Sequence, residues 1–99
     1  MSAPQKEKVI IAGWMNSRAI NFKHPKYPSA IKKPRQAARV EVLIVTDVDG
    51  NVISAEVSRG PVAFHNAALD AARVLKFPPT SLSGVPTKVS GWLSFDFKP

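Results

Sequence analysis

The sequence predicts one small α+β domain, in which helices cover one face of a three-stranded antiparallel sheet. Three observations indicate this fold. Residues 40–46 are rich in β-branched side chains and are followed by Asp49-Gly50 and a second alternating run, residues 52–58. An alanine-rich stretch after Pro61 has helical spacing. The chain then ends in a run that alternates between apolar and polar residues, as a strand with one buried and one exposed face does.

The composition argues against an enzyme or a metal protein. The 99 residues contain no cysteine, and the two histidines, His24 and His65, have no metal-ligand spacing. No nucleophile motif or carboxylate cluster accompanies His65. We therefore expect no catalytic residue, no metal and no cofactor. A small core without disulfides also favours self-association, so a homodimer is expected as a possible state.

The positive charge is concentrated in the first part of the chain. Residues 1–40 hold nine lysines or arginines against one acid, whereas residues 41–99 hold five against six. A basic lead-in attached to a neutral domain differs from a domain with a basic binding face, which nucleic-acid binding requires. Nucleic acid is therefore not an expected partner. A nucleic-acid-binding module that uses the basic arm remains the less favoured alternative function.

Residues 1–24 are predicted to be a basic arm or linker, and residues 25–99 the folded domain. Residues 9–22 mix apolar and polar positions without a clean period, so they could form a short strand, a helical turn or a docked arm. Trp14 could anchor the arm or contact a partner, but packing against the core is favoured. No run is long enough to cross a bilayer. A membrane anchor could still precede Met1 in the full-length protein.

Local signals define each remaining element. The two prolines of His24-Pro25-Lys26-Tyr27-Pro28 require extended backbone, and Ser29 is a suitable N-cap for a short helix over residues 30–33. In the second hairpin strand, alternation places Ile53, Ala55 and Val57 on one face. Gly50 supplies the positive φ that a tight turn needs.

The long helix is predicted from Pro61 to about Phe77, where Pro78-Pro79 ends it. Its apolar stripe consists of Phe64, Ala68, Ala71 and Leu75, flanked by Ala67 and Val74.

The last strand is predicted to have one buried face. Its inward residues are Val89, Gly91, Leu93, Phe95 and Phe97. Trp92 lies on the opposite face, where it could contact a partner or pack under a helix or the arm.

The order and spacing of several short motifs resemble the TonB C-terminal domain over about residues 24–97. These motifs are Pro25-Lys26-Tyr27-Pro28, Val40-x-Val42, Asp49-Gly50-x-Val52, Val57-Ser58-Arg59-Gly60, Ala67-Ala68-Leu69, Lys76-Phe77-x-Pro79, Gly84-x-Pro86 and a terminal strand that ends in Phe97. The chain departs from the family pattern at Ala38, where glycine is usual, and at Arg59, where serine is usual. These departures bear on the partner and not on the fold.

The resemblance implies the periplasmic domain of an energy transducer, anchored to the inner membrane in the full-length protein. Such a domain binds the TonB box, an extended peptide of TonB-dependent outer-membrane receptors, by β-strand addition. It passes on energy from inner-membrane motor proteins of the ExbB/ExbD type, through an N-terminal anchor, for uptake of siderophores, other iron complexes or other nutrients. The alternative within this class is a stand-alone TonB-like or TolA-like adaptor with another protein partner.

A terminal strand with one neighbour leaves a row of free N–H and C=O groups to which a partner strand can bind. With the Tyr-Pro motif that the resemblance adds, the expected partner-binding residues are Tyr27, Pro28, Lys88, Val89, Ser90, Gly91, Trp92, Leu93 and Ser94.

Overall fold

The computed structural model describes residues 9–33 and 35–99, so predictions for residues 1–8 and for Pro34 lie outside the described residues. Its elements, in chain order, are β1 (Val9–Trp14), a one-turn 3₁₀ helix (Asn16–Arg18), β2 (Ala38–Thr46), β3 (Val52–Arg59), a second 3₁₀ turn (Val62–Phe64), α1 (His65–Arg73), β4 (Thr80–Leu82) and β5 (Val85–Phe97). The three strands predicted from periodicity are β2, β3 and β5.

The terminal strand β5 lies inside the sheet and not at its edge. The strand order is β1-β5-β2-β3, and β4 pairs with the first residues of β5. β2 is antiparallel to both β3 and β5, whereas β1 is parallel to β5. The α+β class is confirmed, but within the described residues the sheet is mixed and has five strands, not the three antiparallel strands predicted. β1 and β4 are too short to show a periodicity of their own, so the sequence pattern did not predict these two strands.

The predicted hairpin between β2 and β3 is confirmed. The carboxylate of Asp47 accepts hydrogen bonds from the backbone N–H groups of Asn51 and Asp49, both at 2.9 Å. These bonds, chiefly the one from Asn51, lower the pKa of Asp47 below its ordinary value because they stabilise the charged form. Gly50 has a φ of +90°, and a Cβ there would lie 1.8 Å from the carbonyl oxygen of Phe77. Only glycine therefore fits this turn.

The helix α1 is shorter than predicted. It begins at His65 and ends at Arg73, and does not continue to about Phe77. The N–H of Phe77 instead donates to the carbonyl oxygen of Gly50 at 2.9 Å. This long-range hydrogen bond draws the chain towards the β2–β3 turn and ends the helix before the two prolines do.

The apolar stripe of the helix differs by one position from the prediction. Phe64, Ala68 and Leu75 are buried as expected, but Ala72 is fully buried where Ala71 was predicted. Val74, predicted to flank the stripe, is 66% exposed. The early end of the helix accounts for the exposure of Val74, which lies beyond Arg73. Ala71 is half-buried and packs against the same core.

The short helix predicted over residues 30–33 is absent from the described part of that segment. A single turn is present instead, in which the N–H of Ile31 donates to the carbonyl oxygen of Pro28 at 3.2 Å. One isolated turn fixes several dihedral angles for a single hydrogen bond, so a helix this short gains too little to form.

The core lies between one face of the sheet and the layer formed by α1 and the N-terminal segment. β5 contributes the alternate residues predicted to face inward, and β2 contributes Val40, Val42 and Ile44, which are fully buried. These rows interlock with the helix residues that remain in the stripe. The buried set is Met15, Val40, Val42, Ile44, Phe64, Ala68, Ala72, Leu75, Phe77, Val89, Leu93, Phe95 and Phe97.

Candidate functional site

The predicted partner-binding residues on the last strand all lie on β5, between β1 and β2. Alternation buries Val89, Gly91 and Leu93 against the core, while Lys88, Ser90, Trp92 and Ser94 point to the opposite face and are half-buried. Because N–H and C=O groups alternate between the two edges of a strand, only every second residue of this run can bond a strand on the outer side.

The outer edge of β5 is not free in this structure. β1 runs parallel to it, with Val9 opposite Lys88, Ile10 opposite Val89 and Ile11 opposite Ser90. The expectation that the terminal strand has a single neighbour is therefore wrong. The physical reason is that an extended β1 brings Ile10 and Ala12 against the core, which a free arm would leave in water.

The residue after β1 is deeply buried, whereas the last residue of β1 is not. Trp14 is 57% exposed, so the prediction that it packs against the core is wrong. Met15 fills that role: it is 2% exposed, and its N–H donates to the carbonyl oxygen of Trp92 at 2.8 Å. A Cβ on Gly91 would lie 2.3 Å from the Sδ of Met15, so the absence of a side chain at Gly91 makes room for the methionine.

A side-chain amide continues the edge pairing where the backbone of β1 ends. The Nδ2 group of Asn16 donates to the carbonyl oxygen of Ser94 at 2.8 Å, and the backbone N–H of Ser94 donates to the Oδ1 of Asn16 at 3.0 Å. A primary amide has the same donor and acceptor pair as a peptide group, so Asn16 takes the place of one residue of a neighbouring strand.

His24 bonds Asp96, the last residue of β5 whose peptide groups point to the outer edge. The backbone N–H of Asp96 donates to the Nδ1 of His24 at 3.0 Å, which requires that this nitrogen carry no proton. Phe22 supports the arrangement, since its ring stacks on Phe95 with centroids 5.7 Å apart and meets His24 edge-on at 5.0 Å. Together, residues 9–24 occupy the outer edge of β5 from Lys88 to Asp96, and we call them the edge cover.

The Tyr-Pro motif lies elsewhere, at the far end of β5. The ring of Tyr27 meets Phe64 edge-on at 5.2 Å, and Phe64 in turn contacts Phe97 with ring centroids 4.7 Å apart. The hydroxyl of Tyr27 donates to the carbonyl oxygen of Gln36 at 2.8 Å. Tyr27 and Pro28 are half-buried. The predicted residues from Lys88 to Ser94 thus lie along one edge of β5. The Tyr-Pro motif lies several residues beyond that stretch.

Trp92 lies on the sheet face away from α1. Its neighbours in register are Leu43 on β2 and Trp14 on β1, so an aromatic and aliphatic patch crosses three strands on this face. Paired residues of adjacent strands point to the same side of a sheet. The interpretation that Trp92 packs under a helix is therefore wrong, and it lies beside the arm.

An ion pair holds the two strands together at the end of this face. The Nε of Arg39 on β2 donates to the Oδ1 of Asp96 on β5 at 2.8 Å. The hydrogen bond from Arg39, followed by the charge of that guanidinium, lowers the pKa of Asp96 below its ordinary value.

Sequence reasoning did not identify Met15, Asn16 and His24 as residues that bond the outer edge of β5. The only available signal was the apolar run of residues 9–12 before Gly13, which has the β-branched composition of a strand but no long alternation. Nothing local to Asn16 shows that its partner lies 78 positions away.

The described part of the chain contains neither a candidate metal cluster nor a helix that could cross a membrane. Within residues 9–33 and 35–99 there is no group of three or more histidine, aspartate or glutamate side chains that could hold a metal ion. Within the same ranges, no helix has both the length and the apolar character needed to cross a membrane.

Comparison with known proteins gives one family. A family model described as the Gram-negative bacterial TonB protein C-terminal matches residues 23–99, which include β2 to β5 and α1 but not β1. No curated protein matches the sequence. Since the match extends over well more than half of the chain, this protein belongs to the family of TonB C-terminal domains.

Proposed function

We propose that this domain binds the TonB box of outer-membrane receptors by β-strand addition along the outer edge of β5. The TonB C-terminal family is a family of non-enzymatic, transport-related domains of the Gram-negative periplasm, and its members generally interact with TonB-dependent receptors. The observation that carries the proposal is the pairing of β1 with β5. An edge that holds one extended segment in register has the donors and acceptors to hold another.

Strand addition at this edge suits the transmission of force. Backbone hydrogen bonds between two strands lie across the strand direction, so a pull along the strand loads several of them together. The bonds depend little on side chains, which allows one domain to serve receptors with different sequences. Within the proposal, Lys88, Ser90, Trp92 and Ser94 present the outward peptide groups.

The remaining predicted contacts complete the proposal. Val89, Gly91 and Leu93 support the edge from the core side. Tyr27 and Pro28, at the end of β5, would meet a part of the receptor beyond the added strand. Energy would reach the domain from inner-membrane motor proteins of the ExbB/ExbD type through an anchor elsewhere in the full-length protein, for uptake of iron complexes or other nutrients.

The proposal is tested by NMR titration of ¹⁵N-labelled protein with TonB-box peptides from candidate receptors. We expect saturable shifts at the amides of Ser90 and Trp92, because the N–H groups of the even-numbered residues of β5 point to the outer edge. A peptide of identical sequence that is N-methylated at alternate backbone nitrogens is the matched control. It retains every side chain but loses the N–H donors of one edge, so it should not bind.

Shifts confined to β3, the strand at the opposite edge of the sheet, would contradict the assignment to β5. If no TonB-box peptide binds anywhere on the sheet, the receptor function itself is wrong, and an adaptor domain with another protein partner becomes the better reading. The salt dependence gives a further check. Strand addition by backbone hydrogen bonds should change little with ionic strength, whereas binding of nucleic acid to the basic arm should weaken steeply.

A further inference from the structure

The edge cover has two parts that are held very differently. In β1, the outward residues are exposed to water: Val9 is 38%, Ile11 is 80% and Trp14 is 57% exposed. Only Ile10 and Ala12 pack against the core, and both are only partly buried. The first part of the cover is therefore fixed to the sheet mainly by backbone pairing.

The second part of the edge cover, residues 15–24, is bound through side chains. Met15 is almost fully buried over Gly91, and Phe22 stacks on Phe95. The amide of Asn21 bonds in two directions: its Oδ1 accepts the N–H of Lys76 at 2.8 Å, and its Nδ2 donates to the carbonyl oxygen of Val74 at 3.1 Å. These contacts reach the sheet and the segment that follows α1, so this part forms an anchor.

The pairing of β1 with β5 is irregular at the junction between the two parts. The register of β1 against β5 breaks between Ile11 and Trp14. Gly13 lies within this irregularity, is exposed, and has no atom within 4 Å of the position of a Cβ. A glycine that no neighbour constrains allows the chain before it to rotate away while the chain after it stays in place.

We propose that β1 is a displaceable strand that closes the receptor-binding edge in the free domain, and that a bound receptor peptide takes its place. This inference rests on the proposed function. Release of β1 at Gly13 opens the edge from Lys88 to the N–H of Trp92. Met15 continues to hold the carbonyl oxygen of Trp92, and Asn16 and His24 continue to hold Ser94 and Asp96. The incoming strand therefore pairs over that shorter stretch, and not along the whole edge.

Displacement gives the free domain two properties. It removes an exposed strand edge, which would otherwise pair with other chains. It also reduces the apparent affinity for the receptor by the fraction of molecules in which β1 is released, since only those molecules can bind. The affinity can then be changed by altering β1, without altering any residue that touches the peptide.

A reversible disulfide lock tests the displacement. Ile11 and Ser90 are opposite each other in register, and the chain contains no cysteine that could interfere with an Ile11→Cys, Ser90→Cys variant. Paired residues of neighbouring strands have Cα separations near the lower end of the range of about 4.4–6.8 Å that disulfides span. The same molecule can therefore be measured with β1 held and with β1 free.

The probe is a capped peptide with the sequence of residues 9–15, extended by lysines for solubility. We expect the oxidised variant to bind it at least about tenfold more weakly than the same variant in its reduced form. Equal binding at Ser90 and Trp92 by the oxidised and reduced forms would overturn the displacement. The displacement would also be overturned if the probe bound neither the reduced form nor the release variant described next.

The release variant is Ile10→Asp, and Ile11→Asp is its matched control. Both add one carboxylate to β1, but Ile10 packs against the core and Ile11 is exposed. Ile10→Asp should speed hydrogen exchange at the amides of Ser90 and Trp92 and tighten probe binding, with Ser94 and Asp96 unchanged. Ile11→Asp should do neither. If Ile10→Asp also frees Ser94 and Asp96, the two-part division of the edge cover is wrong.

TonB-box peptides are titrated in parallel, which separates the two hypotheses. If the residue 9–15 probe responds to the lock and no TonB-box peptide binds to any variant, the displacement stands and the receptor function falls. If TonB-box peptides bind the oxidised form as well as the reduced form, the receptor function stands and the displacement falls.

Discussion

The side chain of Asn16 bonds both peptide groups that Ser94 presents to the outer edge of the sheet, accepting from the N–H at 3.0 Å and donating to the C=O at 2.8 Å. It thereby joins the backbone pairing of β1 to the bond between His24 and Asp96. This contact marks the point at which the edge cover changes from a strand to a side-chain anchor.

Removing this amide should loosen the anchor. We expect Asn16→Ala to lower the free energy of unfolding by about 1–2 kcal/mol, because a partly buried pair of hydrogen bonds is lost. Urea denaturation measures the change. Ser17→Ala is the control, since Ser17 is exposed and adjacent. An equal effect from both variants would show that the two bonds contribute nothing particular to stability.

The contact between Gly91 and Met15 predicts a coupled pair of substitutions. A Cβ on Gly91 would lie 2.3 Å from Sδ and 2.6 Å from Cγ of Met15, so Gly91→Ala should cost about 1–3 kcal/mol through overpacking. In a Met15→Ala background the same change should cost clearly less, since the obstructing atoms are gone. A double-mutant cycle by thermal or urea unfolding gives the coupling. Purely additive costs would contradict the contact.

The turn glycines offer a matched comparison. Gly50 and Gly84 both have positive φ, +90° and +81°, but a Cβ at Gly50 would collide with the backbone of Phe77, whereas at Gly84 no atom lies within 4 Å. Gly84→Ala should therefore cost about 1–2 kcal/mol, the conformational penalty alone. Gly50→Ala should cost clearly more, and could prevent folding. Similar melting temperatures for the two variants would contradict this account.

The pair of Arg39 and Asp96 predicts a pH dependence with a definite sign. Arg39 lowers the pKa of Asp96 in the folded state, so the pair contributes stability above the unfolded pKa of the carboxyl group, and this contribution is lost as the pH falls through the lower folded value. Arg39→Gln should raise the pKa of Asp96 towards its ordinary value, and the stability difference from the unaltered chain should disappear in acid.

The pKa is measured by NMR titration of the Asp96 carboxyl carbon. Arg73→Gln is the control, because Arg73 pairs with Asp70 on the helix surface and is remote from this site. A shift of the Asp96 titration in the control, or none in Arg39→Gln, would contradict the assignment.

The sequence by itself determined those elements whose signals are local. The Asp49-Gly50 turn dictates the β2–β3 hairpin because Gly50 must have positive φ. Strict alternation from Val89 to Phe97 dictates which face of β5 is buried, and helical spacing with Pro61 dictates a helix after the hairpin. Each of these signals depends on residues within a few positions of one another. Such a local pattern predicts the element without any knowledge of tertiary contacts.

Only the tertiary structure decided what lies beside β5. By their local preferences, residues 9–22 could form a short strand, a helical turn or a docked arm. Their pairing with β5 follows from packing of Ile10, Ala12 and Met15 against a core built by residues far along the chain. The early end of α1 has the same origin, in the bond between Phe77 and Gly50. Such contacts are gained only when distant segments meet, so no local pattern records them.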